Sequence, residues 1–284
     1  MSVGGFNCPW CRAYNAKGDR TCFRCGKPLT SPLFAGALRG LREQEYLATK
    51  CLAALSIVLY ALLLAAQARM PFARIDSPTM SNLIRFGGIA GGLEQSEPWR
   101  LLAACFVHLG VFHVAMNMIA LGVLGAFVEP IIGGPRVVIA YVLTGIVGFV
   151  VSTHVHPMQA TAGASGAIFG INGIALATMA LNKDSRFKDM LIRTGLQMLI
   201  FTFLPFINNA AHAGGLVAGL ILGVLFGIEK RPWKYALAIN VVAAVCAVAC
   251  VVSVVLPHFS PIWRAVAERE RARDAARGQL VVES

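Results

Sequence analysis

Seven stretches of predominantly apolar residues recur along this 284-residue chain, near 51–68, 101–126, 137–156, 163–181, 191–207, 210–228 and 235–256. A helix rises about 1.5 Å per residue, so runs of this size reach across a hydrocarbon layer roughly 30 Å thick. Backbone in lipid must satisfy its own hydrogen bonds, and for single runs of this length only the α-helix does so. With 57% hydrophobic residues, 14% charged and a mean hydropathy of +0.66, a water-soluble domain is excluded. The predicted fold class is an all-α polytopic membrane protein.

Orientation follows from the basic residues. With the N-terminus inside, sixteen of the 25 lysines and arginines lie on the inner side: eight from Arg12 to Lys50, Arg136, four from Lys183 to Arg193 and three from Lys230 to Lys234. The positive-inside rule therefore predicts an integral, multi-pass protein with a cytoplasmic N-terminus. The net charge of +11 is then topology signal and attraction to anionic membrane lipid, and no nucleic-acid partner is expected. Residues 257–284 read as a polar, solvated C-terminal tail, in which five arginines are nearly balanced by Glu268, Glu270, Asp274 and Glu283. The segment from Met70 to Trp99 is too apolar (Leu83, Ile84, Phe86, Ile89, Leu93) for an aqueous loop, and Trp99-Arg100 at its end suits the headgroup level.

Residues 1–34 form a separate module. Cys8, Cys11, Cys22 and Cys25 make two CxxC pairs, each able to present two thiolates on a tight knuckle, and together they fill the tetrahedral shell that zinc prefers. So short a segment buries too little core to fold alone, and a cytoplasmic location disfavours disulfides. A structural Zn2+ is expected here, in a zinc ribbon or finger whose partner the sequence leaves unknown. The pattern is similar to small four-cysteine fingers, and Asn15 fits the RanBP2-type spacing although Phe6 stands where that family usually carries tryptophan. Residues 35–50 read as a connector at the inner membrane surface. His154 and His156 near the third-to-fourth loop are two ligands at most, too few for a metal site.

Two polar side chains in separate apolar runs stand at matching depth. Ser165 and His212 each precede a basic cluster by 18 residues, beginning at Lys183 and Lys230, which puts both about 27 Å above the same membrane face. Burying such groups in hydrocarbon is costly, so a nucleophile and a base at one depth point to chemistry inside the bilayer. Ser165 is also a fitting helix N-cap, and His212 a fitting structural histidine. Glycines favour the paired reading: Gly166, Gly170 and Gly173 on one run, and Gly215, Gly219, Gly223 and Gly227 on the other, make small-residue faces that let two helices touch. No aspartate or glutamate lies close to His212 in the sequence, so a Ser-His dyad rather than a triad is expected. His113 and Asn117, four residues apart, share a helix face from which Asn117 can donate to an oxyanion.

Trp99-Arg100, His113-Val114-Ala115-Met116-Asn117, Gly163-Ala164-Ser165-Gly166, and Ala211-His212-Ala213-Gly214-Gly215 with Gly219 resemble, in that order and over about 45–256, the rhomboid intramembrane serine proteases. The resemblance implies a six-helix catalytic core plus one C-terminal transmembrane helix, within 51–256. It implies Ser165 as nucleophile, His212 as general base, and His113, Asn117 and the Ser165 amide as oxyanion donors. It also implies structural roles for His108 and Glu129, packing of Phe169 on His212, and a water-filled site opening to the non-cytoplasmic side. Substrates would be transmembrane proteins cut in or near their membrane segments, with no cofactor needed for catalysis. The competing reading is a catalytically silent rhomboid-like factor that binds membrane proteins for transport or quality control; relatives of that kind lose the serine or the histidine, and this chain has both.

Overall fold

The structure, a computed structural model, describes residues 5–8, 13–16, 19, 21–26, 45–68, 77–204, 207–228 and 235–282. Most of the 35–50 connector, Arg69, Arg74 and the basic cluster from Lys230 to Lys234 lie outside the described residues. Long helices occur at all seven apolar runs: α1 (Leu47–Gln67), α5 (Val111–Ile132), α6 (Gly134–Val155), α7 (Ser165–Leu181), α8 (Phe187–Thr202), α9 (Asn209–Gly227) and α10 (Ala236–Val255). Three short helices, α2 (Met80–Arg85), α3 (Leu93–Ser96) and α4 (Arg100–Ala103), fill the segment between α1 and α5, and α11 (Ile262–Val282) closes the chain. A small antiparallel pair, β1 (Gly5–Asn7) and β2 (Tyr14–Ala16) with Phe6 opposite Asn15, lies in the N-terminal module. The protein is an all-α polytopic membrane protein.

Among the described residues, five helices are long and apolar enough to cross a membrane: α1, α5, α6, α9 and α10 with its 3-10 extension to Phe259. The other two depart from the expectation of seven full spans. Helix α7 has 17 residues, of which fourteen are buried, because it runs through the centre of the bundle with neighbours on every side. Helix α8 has 16 residues, starts four earlier than expected with Lys188 and Asp189 in its first turn, and buries Thr194 alone. The second span also begins later than its apolar run. Leu102 and the segment from Ala103 to His108 are buried, but in the interior of the loop, and the helix starts only at Val111 after the extended Gly110. An apolar run looks the same in sequence whether it faces lipid or the core of a loop.

That loop is more solid than an interfacial segment. Arg100 is fully buried within the protein: its Nε donates to Glu97 Oε2 at 2.6 Å, and its Nη1 donates to the carbonyls of Ile84 (2.7 Å) and Gly88 (3.0 Å). A buried guanidinium is tolerated when its charge is paired and hydrogen-bonded, as Nε and Nη1 are here beside the Glu97 carboxylate. Loop and bundle are joined by an antiparallel bridge between Ile89 and Thr161 and by Gly163 N donating to Ala104 O at 2.8 Å.

The C-terminal segment forms a helix that is largely exposed over its described side chains. At one point α11 lays Ala267 against the protein at 2% exposure. Its Glu270 accepts from Ser81 N at 3.3 Å, at the start of α2, and the Arg85 guanidinium lies 4.7 Å from the Trp263 ring centre. At the opposite end of the bundle, Glu129 accepts from Ala48 N (3.0 Å), Thr49 N (2.9 Å) and the Thr49 hydroxyl (2.6 Å). A carboxylate borrowed from α5 thus caps the amides at the start of α1, where Tyr46 supplies no side-chain cap.

Candidate active site

Helices α5, α7 and α9 run parallel and begin at one end of the bundle, so His113, Ser165 and His212 each sit in the first turn of a helix. Three helix N-termini put unpaired amides and positive dipole ends in the same region, which favours negative charge developing there. The Ser165 hydroxyl lies 2.8 Å from His212 Nε2. His212 is buried at 4% exposure, and Ser165 is partly exposed.

The approach depends on glycine. A methyl at Gly215 would strike the Gly166 carbonyl, and one at Gly219 the Gly170 carbonyl; both meet backbone, which cannot rotate away. At Gly148 on α6 a methyl would come within 2.7 Å of Ala211 O. The helices carrying the serine and the histidine therefore touch backbone to backbone, and this spacing brings the two side chains together.

The imidazole is oriented by packing. Its ring stacks on Phe169 with centroids 4.5 Å apart and an interplanar angle of 25°, as the resemblance implied, and Phe201 from α8 lies 5.6 Å away on a tilted plane. His212 Nδ1 is buried without a hydrogen-bond partner among the described residues, so no carboxylate addresses it. Phe201 has no signal in the sequence beyond being apolar, and nothing there marks it for this ring.

His113 lies against the serine segment. Gly163 has φ +138, and a Cβ built there would meet His113 Nε2 at 2.8 Å, so only glycine admits the ring beside the backbone two residues before Ser165. His113 Nδ1 accepts from Leu109 N at 3.3 Å, and the His108 ring stands edge-on 5.2 Å away. Asn117 is buried and its Nδ2 donates to His113 O at 2.7 Å, and its second amide proton has no partner among the described residues. Two surface cavities, about 480 Å³ between α7, α8 and α9 and about 490 Å³ around Val155–Gln159 and Ile207, are lined by neither Ser165 nor His212.

In the N-terminal module, Cys8, Cys22 and Cys25 place their sulfurs within 4.8 Å of one another, with Cys8 and Cys25 3.7 Å apart. Four thiolates at the usual Zn–S length stand about 3.8 Å apart along a tetrahedron's edge, so this donor set fits zinc. Cys11 lies outside the described residues. Asn15 Oδ1 accepts from Phe23 N at 3.2 Å and its Nδ2 donates to Ala13 O at 2.5 Å, bracing the turn that presents Cys22 and Cys25. His154, by contrast, bonds back to Val150 O on its own helix and joins no cluster among the described residues.

Residues 95–229 match the family described as Rhomboid domain. The matched region covers nearly half of the chain, and His113, Asn117, Ser165 and His212 all fall inside it. It is 36% identical over 161 residues to Rhomboid protease GluP of Bacillus subtilis (strain 168), covering 54% of this chain and 31% of that protein. It is 34% identical over 164 residues to RHOMBOID-like protein 5 of Arabidopsis thaliana, covering 55% of this chain and 52% of that protein. It is also 30% identical over 149 residues to Inactive RHOMBOID-like protein 8 of the same plant, covering 50% of this chain and 42% of that protein. The chain spans about a third to a half of the length of these curated relatives.

Proposed function

We propose that this protein is an intramembrane serine endopeptidase that hydrolyses a peptide bond in or near the membrane segments of transmembrane protein substrates. The observation that carries the reading is the 2.8 Å contact between Ser165 Oγ and His212 Nε2 at the convergence of three helix N-termini. Ser165 Oγ attacks the scissile carbonyl as its proton passes to His212 Nε2. The oxyanion is met by the Ser165 amide, His113 and the second amide proton of Asn117. The imidazolium then gives its proton to the leaving amine, and water attacks the acyl-serine by the reverse exchange. With a cytoplasmic N-terminus the site opens to the non-cytoplasmic side, where water is at hand. No cofactor takes part. Cys8, Cys11, Cys22 and Cys25 hold a structural Zn2+ that stabilises the N-terminal module.

In detergent, the full chain is expected to react with a fluorophosphonate probe and to cleave a model transmembrane substrate. Ser165→Ala is expected to abolish both. Cleavage that survives this substitution would overturn the reading and favour a silent membrane-protein binder, the alternative that the inactive relative keeps open. Metal analysis of the purified protein is expected to give one zinc per chain, lost in Cys22→Ser; a zinc-free but folded wild type would refute the metal assignment.

A further inference from the structure

Beside the dyad, one side chain ties together three separate parts of the bundle. Asn208 precedes α9, and its Oδ1 accepts from Ala211 N at 3.0 Å, capping the turn that carries His212. Its Nδ2 donates to Ser152 Oγ on α6 at 2.5 Å and to Thr161 Oγ1 at 2.9 Å. Both amide protons and the oxygen are thereby engaged. Ser152 and Thr161 are buried, at 1% and 5% exposure. Thr161 stands four residues before Ser165, in the segment whose backbone pairs with Ile89 in both directions.

The glycine seam sets how far apart α7 and α9 lie, but it does not set how the first turn of α9 is wound or where the approach to Ser165 sits along it. Among the described residues, His212 also has no hydrogen-bonded carboxylate to fix its imidazole directly. We propose that Asn208 is the positioning residue of this site: by capping the histidine turn and clasping Thr161, it holds the His212 ring in register with the Ser165 hydroxyl. The proposal rests on the protease reading and specifies how its dyad is aligned without an acid.

The variants are compared in the full chain, on the folded fraction, once wild type labels and Ser165→Ala does not. Failure of that first comparison would sink the protease reading itself. Thr161→Val removes the hydroxyl while keeping the shape, and Asn208→Ser keeps a cap but is too short to clasp Thr161. Each is expected to lower kcat and the labelling rate about tenfold with KM within a factor of two, since misaligned reacting groups cost rate rather than binding. Thr161→Ser, which restores the hydroxyl, is expected to recover wild-type rates. The double variant Asn208→Ser with Thr161→Val is expected to be no slower than either single one, because both cut the same link. Wild-type rates in Thr161→Val, no recovery in Thr161→Ser, or multiplying losses in the double variant would each overturn the proposal. So would a lowered thermal midpoint with kcat unchanged, which is the mark of a purely structural bond.

Discussion

Helices α9 and α8 both pack beside α7, and they do so in opposite ways. Along α9 the contact is backbone on backbone, with Gly215 and Gly219 against the carbonyls of Gly166 and Gly170. Along α8 a crevice of about 480 Å³ opens toward α7 and α9, and Thr194 is the one buried residue of the helix. The difference separates two tasks. The α7–α9 seam holds a serine and a histidine at hydrogen-bond distance, which tolerates almost no movement, whereas α8 contributes to the histidine ring the tilted contact of Phe201. Close packing resists displacement and loose packing permits it, so give at this site is expected on the α8 side.

The most direct way to break the comparison is Gly219→Ala. Its methyl would strike the Gly170 carbonyl, and neither helix backbone can yield without opening the whole seam. A loss of about 1–3 kcal/mol is expected, as for other overpacked interiors, together with loss of probe labelling as Ser165 and His212 separate. Thermal unfolding in detergent and labelling at equal folded protein would check it; full labelling would mean that the seam does not set the distance.

A smaller effect is expected at the link between α7 and α8. Asn172 Nδ2 donates to Thr194 Oγ1 at 3.0 Å, and that hydroxyl donates in turn to Met190 O at 2.9 Å. Thr194→Val removes the acceptor from a buried amide. Hydrogen bonds between membrane helices average roughly 0.6 kcal/mol, so a thermal midpoint only slightly lowered is expected, with labelling retained. A loss as large as that of Gly219→Ala would erase the contrast between the two helices.

How much of this contrast was legible beforehand depends on which residues signal their surroundings. The glycines of α7 and α9 recur at near-helical spacing, so their faces and the matched depth of Ser165 and His212 could be read directly. The pairing of Glu129 with the first turn of α1 could not, because its partners are backbone amides some eighty residues away. Leu101 to Val107 read as membrane span because a buried loop and a lipid-facing helix use the same side chains. Arg100 read as an interfacial charge because Glu97, three residues earlier, and two loop carbonyls were invisible as its partners. Asn208 carried a usable sign, an N-capping residue just before an apolar helix, but its clasp on Ser152 and Thr161 depends on the tertiary fold.

The mildest test reverses the sign. Gly195 on α8 has ordinary helical backbone, and a Cβ there would meet nothing within 4 Å, since it faces the crevice. Gly195→Ala therefore pays no steric cost and restricts the unfolded chain, which is expected to stabilise the protein by about 0.4–1 kcal/mol. The same chemical change, one methyl for one hydrogen, is thus destabilising on one neighbour of α7 and stabilising on the other. Measured side by side in the same detergent, the two alanine variants should shift the thermal midpoint in opposite directions. Equal and adverse shifts would mean that α8 closes its crevice in the folded protein and packs as tightly as α9.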